Sequence, residues 1–140
     1  MKYVYSESVC PNLNQKTGYI ELALTAGRHQ IKSIISGEVI SRSIFPHSVD
    51  EVMNLESHID TFEKTWLSLD PSSHYIVYLS GLTILVQAVY IAWLRSCVPS
   101  GDTIPRRLIF AHYDRQLGSY QLFCAFTGEK IKPSDLKDLS

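Results

Sequence analysis

The chain has 140 residues, a formal net charge of −1 and a hydrophobic content of 45%. That hydrophobic content is sufficient for a packed core, which excludes an intrinsically disordered chain. The near-neutral charge excludes a protein that coats long nucleic acid, because that function needs a basic surface. A chain of this length predicts one domain over residues 1–140, with a polar C-terminal tail from about residue 128.

The cysteine and histidine positions argue against disulfides and metal sites. Cys10, Cys97 and Cys124 are odd in number and show no CxxC spacing, which is typical of reduced core residues in a cytoplasmic protein. His47 and His58 flank a predicted helix start without metal-ligand spacing. We therefore expect no metal and no other cofactor. The first ten residues contain no apolar stretch of the secretory type, so no signal peptide is expected.

The first third of the chain predicts short strands joined by turns. Strands are predicted over residues 2–6 and 39–45. Residues 19–25 and 30–35 flank Ala-Gly-Arg-His, whose glycine favours a tight turn. This pattern predicts an antiparallel hairpin.

The next element is predicted to be an amphipathic helix. Ser48 and Glu51 have the spacing of a capping box, which predicts the start of the helix. Asp70-Pro71 predict its end. Between these signals, apolar residues recur at steps of three and four and form one stripe. They are Val52, Leu55, Ile59, Phe62, Trp66 and Leu69.

Residues 75–94 contain no charged residue and approach the length of a membrane span. Ser80-Gly81 interrupts this run, the residues before it are β-branched and aromatic, and Gln87 lies inside it. We therefore favour a buried strand over residues 75–79 followed by a helix over residues 83–96. No membrane partner is expected.

A strand at residues 107–112 completes a βαβ unit over residues 75–112. Both strands of the unit are apolar runs, as expected in a sheet that is covered on both faces. A last strand is predicted over residues 119–126, after a turn at Gly118. The predicted fold class is therefore α/β, a Rossmann-like mixed sheet with this βαβ unit and appended antiparallel hairpins.

The predicted helix over residues 83–96 has almost no polar face. A helix that is apolar on all sides requires burial on all sides. One explanation is a homodimer in which this helix packs against its symmetry mate. The other is a helix that is unusually well enclosed within a monomer.

Two loops follow the carboxyl ends of the predicted parallel strands, where α/β proteins bind ligands. Ser80, Gly81, Leu82 and Thr83 precede the helix, so their amides and hydroxyls can bind an anion at its positive end. An ordinary turn and helix cap explain the same residues. The loop lacks the GxGxxG and GxxxxGK[ST] patterns, so neither a dinucleotide-binding fold nor a P-loop is supported.

The second loop, residues 112–120, gathers ionisable and aromatic side chains. His112 is the candidate catalytic residue, because histidine transfers protons near neutral pH. Arg115 can bind a phosphate through two parallel hydrogen bonds. A surface hairpin turn capped by Asp114 is the alternative. The candidate ligand-binding residues of this loop are Tyr113, Asp114, Arg115 and Tyr120.

These two loops carry a resemblance to a known group of proteins. The motifs are Tyr-Leu-Ser-Gly-Leu-Thr at residues 78–83, before the apolar helix, and His-Tyr-Asp-Arg at residues 112–115, with Gly118 and Tyr120. Over residues 75–121 the chain resembles small accessory proteins of type III CRISPR loci. These antiviral defence proteins are Rossmann-like and related to CARF domains, and several are ring nucleases that bind and cleave cyclic oligoadenylates.

The resemblance implies a homodimer that binds cyclic tetra-adenylate, a small polyanion, across its twofold axis. Each copy would contribute the loop at residues 80–83 and Arg115. The resemblance also implies metal-independent cleavage, in which the ribose 2′-OH attacks the neighbouring phosphate and His112 acts as acid or base. Two other functions stay open: a non-enzymatic sensor or sponge for a cyclic nucleotide, and an interaction module that docks through the helix over residues 83–96.

Overall fold

The computed structural model describes residues 19–27, 30–67, 74–80, 82–97 and 107–137. The predicted strand over residues 2–6 lies outside these ranges, as does Gly81. Within the described residues, six strands form one sheet in the order β2-β1-β3-β4-β5-β6.

The strands are β1 (Tyr19–Thr25), β2 (Ser43–Phe45), β3 (His74–Tyr78), β4 (Leu108–Asp114), β5 (Ser119–Cys124) and β6 (Lys130–Ile131). The helices are α1 (Leu55–Phe62), α2 (Thr83–Cys97) and α3 (Pro133–Lys137), and a π-helical turn, Glu63–Leu67, continues α1. The first four strands are parallel, whereas β5 and β6 pair antiparallel. The α/β class, the βαβ unit and the hairpin of β4 with β5 are confirmed.

The chain connects its parallel strands over both faces of the sheet. The connection from β1 to β2 leads towards one edge of the sheet. The connections through α1 and α2 lead towards the other edge. Right-handed crossovers place such connections on opposite faces. Accordingly, Tyr75 of β3 contacts Phe62 of α1 on one face. Tyr78 of the same strand lies on the other face and contacts Ile34, in the connection between β1 and β2.

We call the face that carries α1 and α2 the helix face. Apolar packing dominates there, as expected from the predominantly apolar sequences of β3 and α2. Trp93 of α2 is fully buried, and its ring contacts the rings of Tyr90 and Phe126 at centroid distances of 6.1 and 6.2 Å. All five residues of β3 are buried, which confirms a strand covered on both faces.

We call the opposite face the loop face, and residues 30–42, which cross it without a helix, the crossover loop. Its contacts with the sheet converge on the Glu21 carboxylate of β1. Ser33 Oγ lies 2.8 and 2.7 Å from the two carboxylate oxygens, and the Tyr78 hydroxyl donates to Oε2 at 2.7 Å. The same hydroxyl accepts from the Ile34 amide at 3.0 Å. Burial, together with the bond to Glu21, raises the pKa of Tyr78 far above its ordinary value.

The predicted hairpin between residues 19–25 and 30–35 is wrong. Both edges of β1 are occupied by parallel neighbours, β2 and β3, which leaves no edge for residues 30–35. Those residues form a single bridge, from Lys32 to Val39, and the turn predicted at Ser36-Gly37 lies inside it. Gly37 has a φ of +77°, which favours glycine. The strand predicted over residues 39–45 is reduced to β2.

The predicted start of the first helix at Ser48 is also wrong. Asn54 caps α1, and its side-chain oxygen accepts from the Ser57 amide at 3.2 Å. Glu51, the second member of the predicted capping box, has a φ of +49°, which is incompatible with a helix. Asparagine is as good a cap as serine, so local preference alone does not select the correct start.

The π-helical turn changes the predicted apolar stripe at its end. One extra residue in the turn shifts the side-chain period, so Leu67 is buried and Trp66 only half-buried. The Tyr75 hydroxyl donates to the Trp66 carbonyl at 3.0 Å, which satisfies a carbonyl in this irregular turn. Leu69, predicted as the last member of the stripe, lies outside the described residues.

The segment predicted as a polar tail from about residue 128 contains two further elements. β6 pairs with β5, and α3 follows it. Ile131 and Leu136 are buried and attach this segment to the core. A few isolated apolar residues in a polar stretch are too few to produce a periodic signal.

α2 matches the helix predicted over residues 83–96, but the described residues do not enclose it on all sides. Its inner side is buried, whereas Ile84, Ile91 and Leu94 are half-buried and Gln87 and Arg95 are exposed. The homodimer expected from its apolar sequence stays a prediction. In the part of the chain that the structure describes, no helix has the length and apolar character needed to cross a membrane.

Candidate functional site

A cleft of about 620 Å³ opens on the helix face, between α2 and the hairpin of β4 and β5. We call it the α2–β4 cleft. The described residues that line it are Leu79, Ser80, Thr83, Val86, Gln87, Tyr90, Phe110, His112 and Ala125.

The topology explains why a cleft forms at this place. Parallel neighbours need a long crossover connection, usually a helix, and α2 fulfils this role between β3 and β4. An antiparallel hairpin needs only a tight turn, so no crossover helix connects β4 to β5. The helix face therefore changes from a covered surface to an open one beside α2.

The cleft begins at the topological switch point of the sheet. The chain leaves the end of β1 towards one edge and the end of β3 towards the other, and open α/β sheets bind ligands beyond such a point. Thr25 ends β1 and Ser80 follows β3, and their hydroxyl oxygens lie 3.2 Å apart. This hydrogen bond holds the two strand ends together, and Ser80 also lines the cleft.

The start of α2 supplies hydrogen-bond donors at this end of the cleft. Thr83 is the first residue of the helix and is exposed. The first amides of any helix lack partners within the helix and lie at the positive end of its dipole. The Leu85 amide donates to the Leu82 carbonyl at 3.1 Å. The earlier amides, together with the hydroxyls of Ser80 and Thr83, can bind an anionic group.

His112 lies on β4 and lines the cleft opposite α2. Its ring makes edge-to-face contacts with Phe110 and Phe123, at centroid distances of 6.5 and 5.6 Å. Within the described residues, no hydrogen bond occupies its ring nitrogens. The imidazole is therefore positioned by two aromatic rings and free to exchange a proton with a ligand.

The side walls of the cleft are largely apolar. Val86 and Phe110 face it from α2 and β4, and Phe110 is only 9% exposed. Tyr90 adds a phenol on the helix side, and burial raises the pKa of this phenol. Its hydroxyl is therefore protonated at neutral pH and available as a donor. No Lys or Arg lines the cleft within the described residues.

The structure brings only part of the predicted site together. Ser80, Thr83 and His112 line the same cleft. Leu82 lies directly before α2 and is 43% exposed, but it is not among the lining residues. Gly81 lies outside the described residues.

The other predicted ligand-binding residues lie outside the α2–β4 cleft. Tyr113 and Tyr120 are paired on neighbouring strands, and successive strand residues alternate between faces, so both lie on the loop face. Their ring centroids are 5.2 Å apart, and Tyr120 also contacts Tyr78 at 5.0 Å. Burial raises the pKa of the Tyr120 phenol.

Asp114 and Arg115 belong to the hairpin turn between β4 and β5. The Asp114 carboxylate accepts from the amides of Gln116 and Leu117 at 2.9 and 3.3 Å, and Gly118 completes the turn with a φ of +66°. Arg115 is exposed at the tip. This segment is therefore a surface hairpin turn capped by Asp114, which the sequence offers as the alternative to a ligand-binding loop.

Sequence reasoning missed several lining residues. Thr83 is followed three, four and seven residues later by Val86, Gln87 and Tyr90. This spacing places all four residues on one face of α2. Phe110 precedes His112 by two residues, so both lie on one face of β4. Combining the two periods would have found these residues, but an almost entirely apolar helix gives no reason to prefer one of its faces.

Comparison of the chain with protein-family models, with curated proteins and with solved structures finds no match. The fold therefore defines only the class, an α/β protein with a Rossmann-like mixed sheet. The resemblance to CRISPR accessory proteins stays a prediction from the motifs at residues 78–83 and 112–120. Among the described residues, no group of three or more His, Cys, Asp or Glu side chains is placed to hold a metal ion.

Proposed function

We propose that the α2–β4 cleft binds a nucleotide, and that a cyclic oligoadenylate is the nucleotide bound. One observation carries the proposal: the hydroxyls of Ser80 and Thr83, at the start of α2, and the imidazole of His112 surround one largely apolar cavity. A phosphate suits the positive end of the helix, and a planar base suits the apolar walls.

The charge of the cleft bears on the form of the ligand. Because no cationic side chain lines it within the described residues, phosphate binding relies on amides, hydroxyls and the helix dipole. Such a site suits a single phosphate group. Two copies of the cleft, related by a twofold axis, would suit a symmetric ring that presents equivalent phosphates to each copy.

We propose that the second copy packs against the outer side of α2. The half-buried Ile84, Ile91 and Leu94 lie on this side, and the helical repeat places it next to the side that lines the cleft. A dimer formed there brings the two clefts close together. Light scattering on the purified chain tests this, and we expect twice the monomer mass of 15.9 kDa.

The cleavage step we propose uses His112 as the base. The imidazole takes the proton of a ribose 2′-OH, the 2′ oxygen attacks the adjacent phosphorus, and the bond from phosphorus to the 5′ oxygen breaks. The imidazolium then returns a proton to the 5′ oxygen. The products are a 2′,3′-cyclic phosphate and a 5′-hydroxyl. The protein orients the ring and stabilises the developing charge.

The test is incubation of radiolabelled cyclic tetra-adenylate with excess protein in EDTA. We expect binding and conversion to linear products, and we expect His112→Ala to lower turnover more than affinity. His47→Ala is the matched control, because His47 is also exposed but does not line the cleft. Binding without turnover would identify a non-enzymatic sensor or sponge, and no binding would contradict the proposal.

A second candidate function is favoured by the outer side of α2. Half-buried apolar side chains on α2, whose one charged residue is Arg95, also suit docking to a larger partner, without any ligand in the cleft. A thermal-shift screen separates the two candidates. Nucleotide binding predicts a higher melting temperature with the cyclic oligoadenylate, whereas the interaction module predicts no change. We expect either function to operate in the cytoplasm, where the buried Cys124 stays reduced.

A further inference from the structure

Gln87 is the one carboxamide among the described residues that line the α2–β4 cleft. We propose that Gln87 makes the cleft selective for adenine over guanine. This inference rests on the proposed nucleotide binding and adds the residue that reads the base.

The position of Gln87 follows from the geometry of α2. Thr83 and Gln87 are one turn apart, about 6 Å along the helix axis, and both side chains line the cleft. A phosphate at the helix start therefore leaves the base beside the second turn of the helix. There the base lies between Val86 on α2 and Phe110 on β4, with Gln87 at its edge.

The chemistry of the carboxamide decides which base edge it accepts. Gln87 offers a donor and an acceptor side by side, and adenine offers the complementary pair, its N6 amino group beside a ring-nitrogen acceptor. The guanine edge with O6 and N7 offers two acceptors, one of which would oppose the amide oxygen. Guanine matches the carboxamide only through O6 and N1–H, and its extra amino group then needs an acceptor that Val86 and Phe110 do not offer. An unpaired polar group in a desolvated cleft weakens binding.

Changing Gln87 to glutamate reverses the expected preference for adenine over guanine. A carboxylate has acceptors only, so it pairs with the N1–H and N2 amino donors of guanine and repels the ring-nitrogen acceptor of adenine. A residue with a purely structural role would not produce such an inversion. The size and shape of the side chain are nearly unchanged, so any effect reports its hydrogen bonding.

The experiment is calorimetric titration of the full chain with AMP and with GMP. We expect the wild type to bind AMP about tenfold more tightly than GMP, because a bidentate base contact gives discrimination of this order. Gln87→Glu is expected to move that ratio by at least about tenfold towards GMP, and Gln87→Ala is expected to bring it close to one. Gln116→Glu is the matched control, since Gln116 is exposed at the hairpin tip and does not line the cleft.

The measured quantity is a ratio of two affinities, so a general loss of stability in a variant affects both nucleotides alike. Equal binding of AMP and GMP by the wild type overturns the inference but leaves nucleotide binding intact. An unchanged ratio in Gln87→Glu does the same. Binding of neither nucleotide overturns the proposed function itself.

Discussion

The two faces of the sheet are covered by different kinds of interaction. On the helix face, α1 and α2 bury aliphatic and aromatic side chains, with Trp93 fully enclosed. On the loop face, the crossover loop contains no helix. Its isoleucines pack partly on the core, and hydrogen bonds among Glu21, Ser33 and Tyr78 attach it further. Apolar packing tolerates changes that conserve volume, whereas a polar network fails when one member is removed, because its partners stay buried and unpaired.

The largest expected effect concerns the helix face. Trp93→Ala should lower the free energy of unfolding by about 3–5 kcal/mol, because it removes a fully buried indole and leaves a cavity. Trp93→Phe should retain much of that stability, since the buried Nε1 has no hydrogen-bond partner among the described residues. Urea denaturation measures both. A loss below about 1 kcal/mol for the alanine variant would mean that the helix face is not held by this packing.

The next effect concerns the loop face. Glu21→Ala leaves the hydroxyls of Ser33 and Tyr78 without their acceptor, so we expect a loss of about 3 kcal/mol in the free energy of unfolding. Tyr78→Phe removes the donor to Glu21 and the acceptor of the Ile34 amide, and should lose about 1.5 kcal/mol. The double variant should lose less than the sum, because the two residues share one hydrogen bond. Strict additivity would show that the network does not act as a unit.

The smallest expected effect is a dependence of the free energy of unfolding on pH. It arises mainly from Tyr78, on the loop face. Burial and the bond to Glu21 raise the pKa of Tyr78 above the ordinary value of 10.0, so the folded state binds a proton that the unfolded state releases. Stability is therefore complete below pH 10 and falls above it, by up to about 1.4 kcal/mol per pH unit. Denaturation at several alkaline pH values measures this slope.

Tyr78→Phe provides the control for this pH dependence. The variant should flatten the slope but not remove it, since burial also raises the pKa values of Tyr90 and Tyr120. An identical slope in the variant and the wild type would contradict the assignment to Tyr78.

The same contrast explains which parts of the fold the sequence predicts. β3, α2, β4 and β5 appear within one or two residues of their predicted bounds, because they are apolar runs that end at glycine, proline or polar turns. The loop face depends on contacts between Glu21 and residues 12 and 57 positions away. Local periodicity carries no information about such distant hydrogen bonds, so the sequence pattern predicts a hairpin strand where the crossover loop lies.

The candidate site was predicted in part for a related reason. Ser80, Thr83 and His112 follow or end parallel strands, and the carboxyl ends of such strands meet at one edge of the sheet. Tyr113 and Tyr120 were grouped with His112 because they are close in sequence. Alternation along the strand places them on the opposite face, so closeness in sequence was a poor guide.

The short strands at the two borders of the sheet have a consequence for self-association. β2 has three residues and β6 has two, so within the described residues each border offers few unpaired backbone groups. Short edge strands discourage the sheets of two copies from pairing edge to edge, which is a common route to fibrils. Copies of this chain should therefore associate through side chains rather than through backbone hydrogen bonds between edge strands. Substitutions of surface side chains should accordingly change the strength of this association.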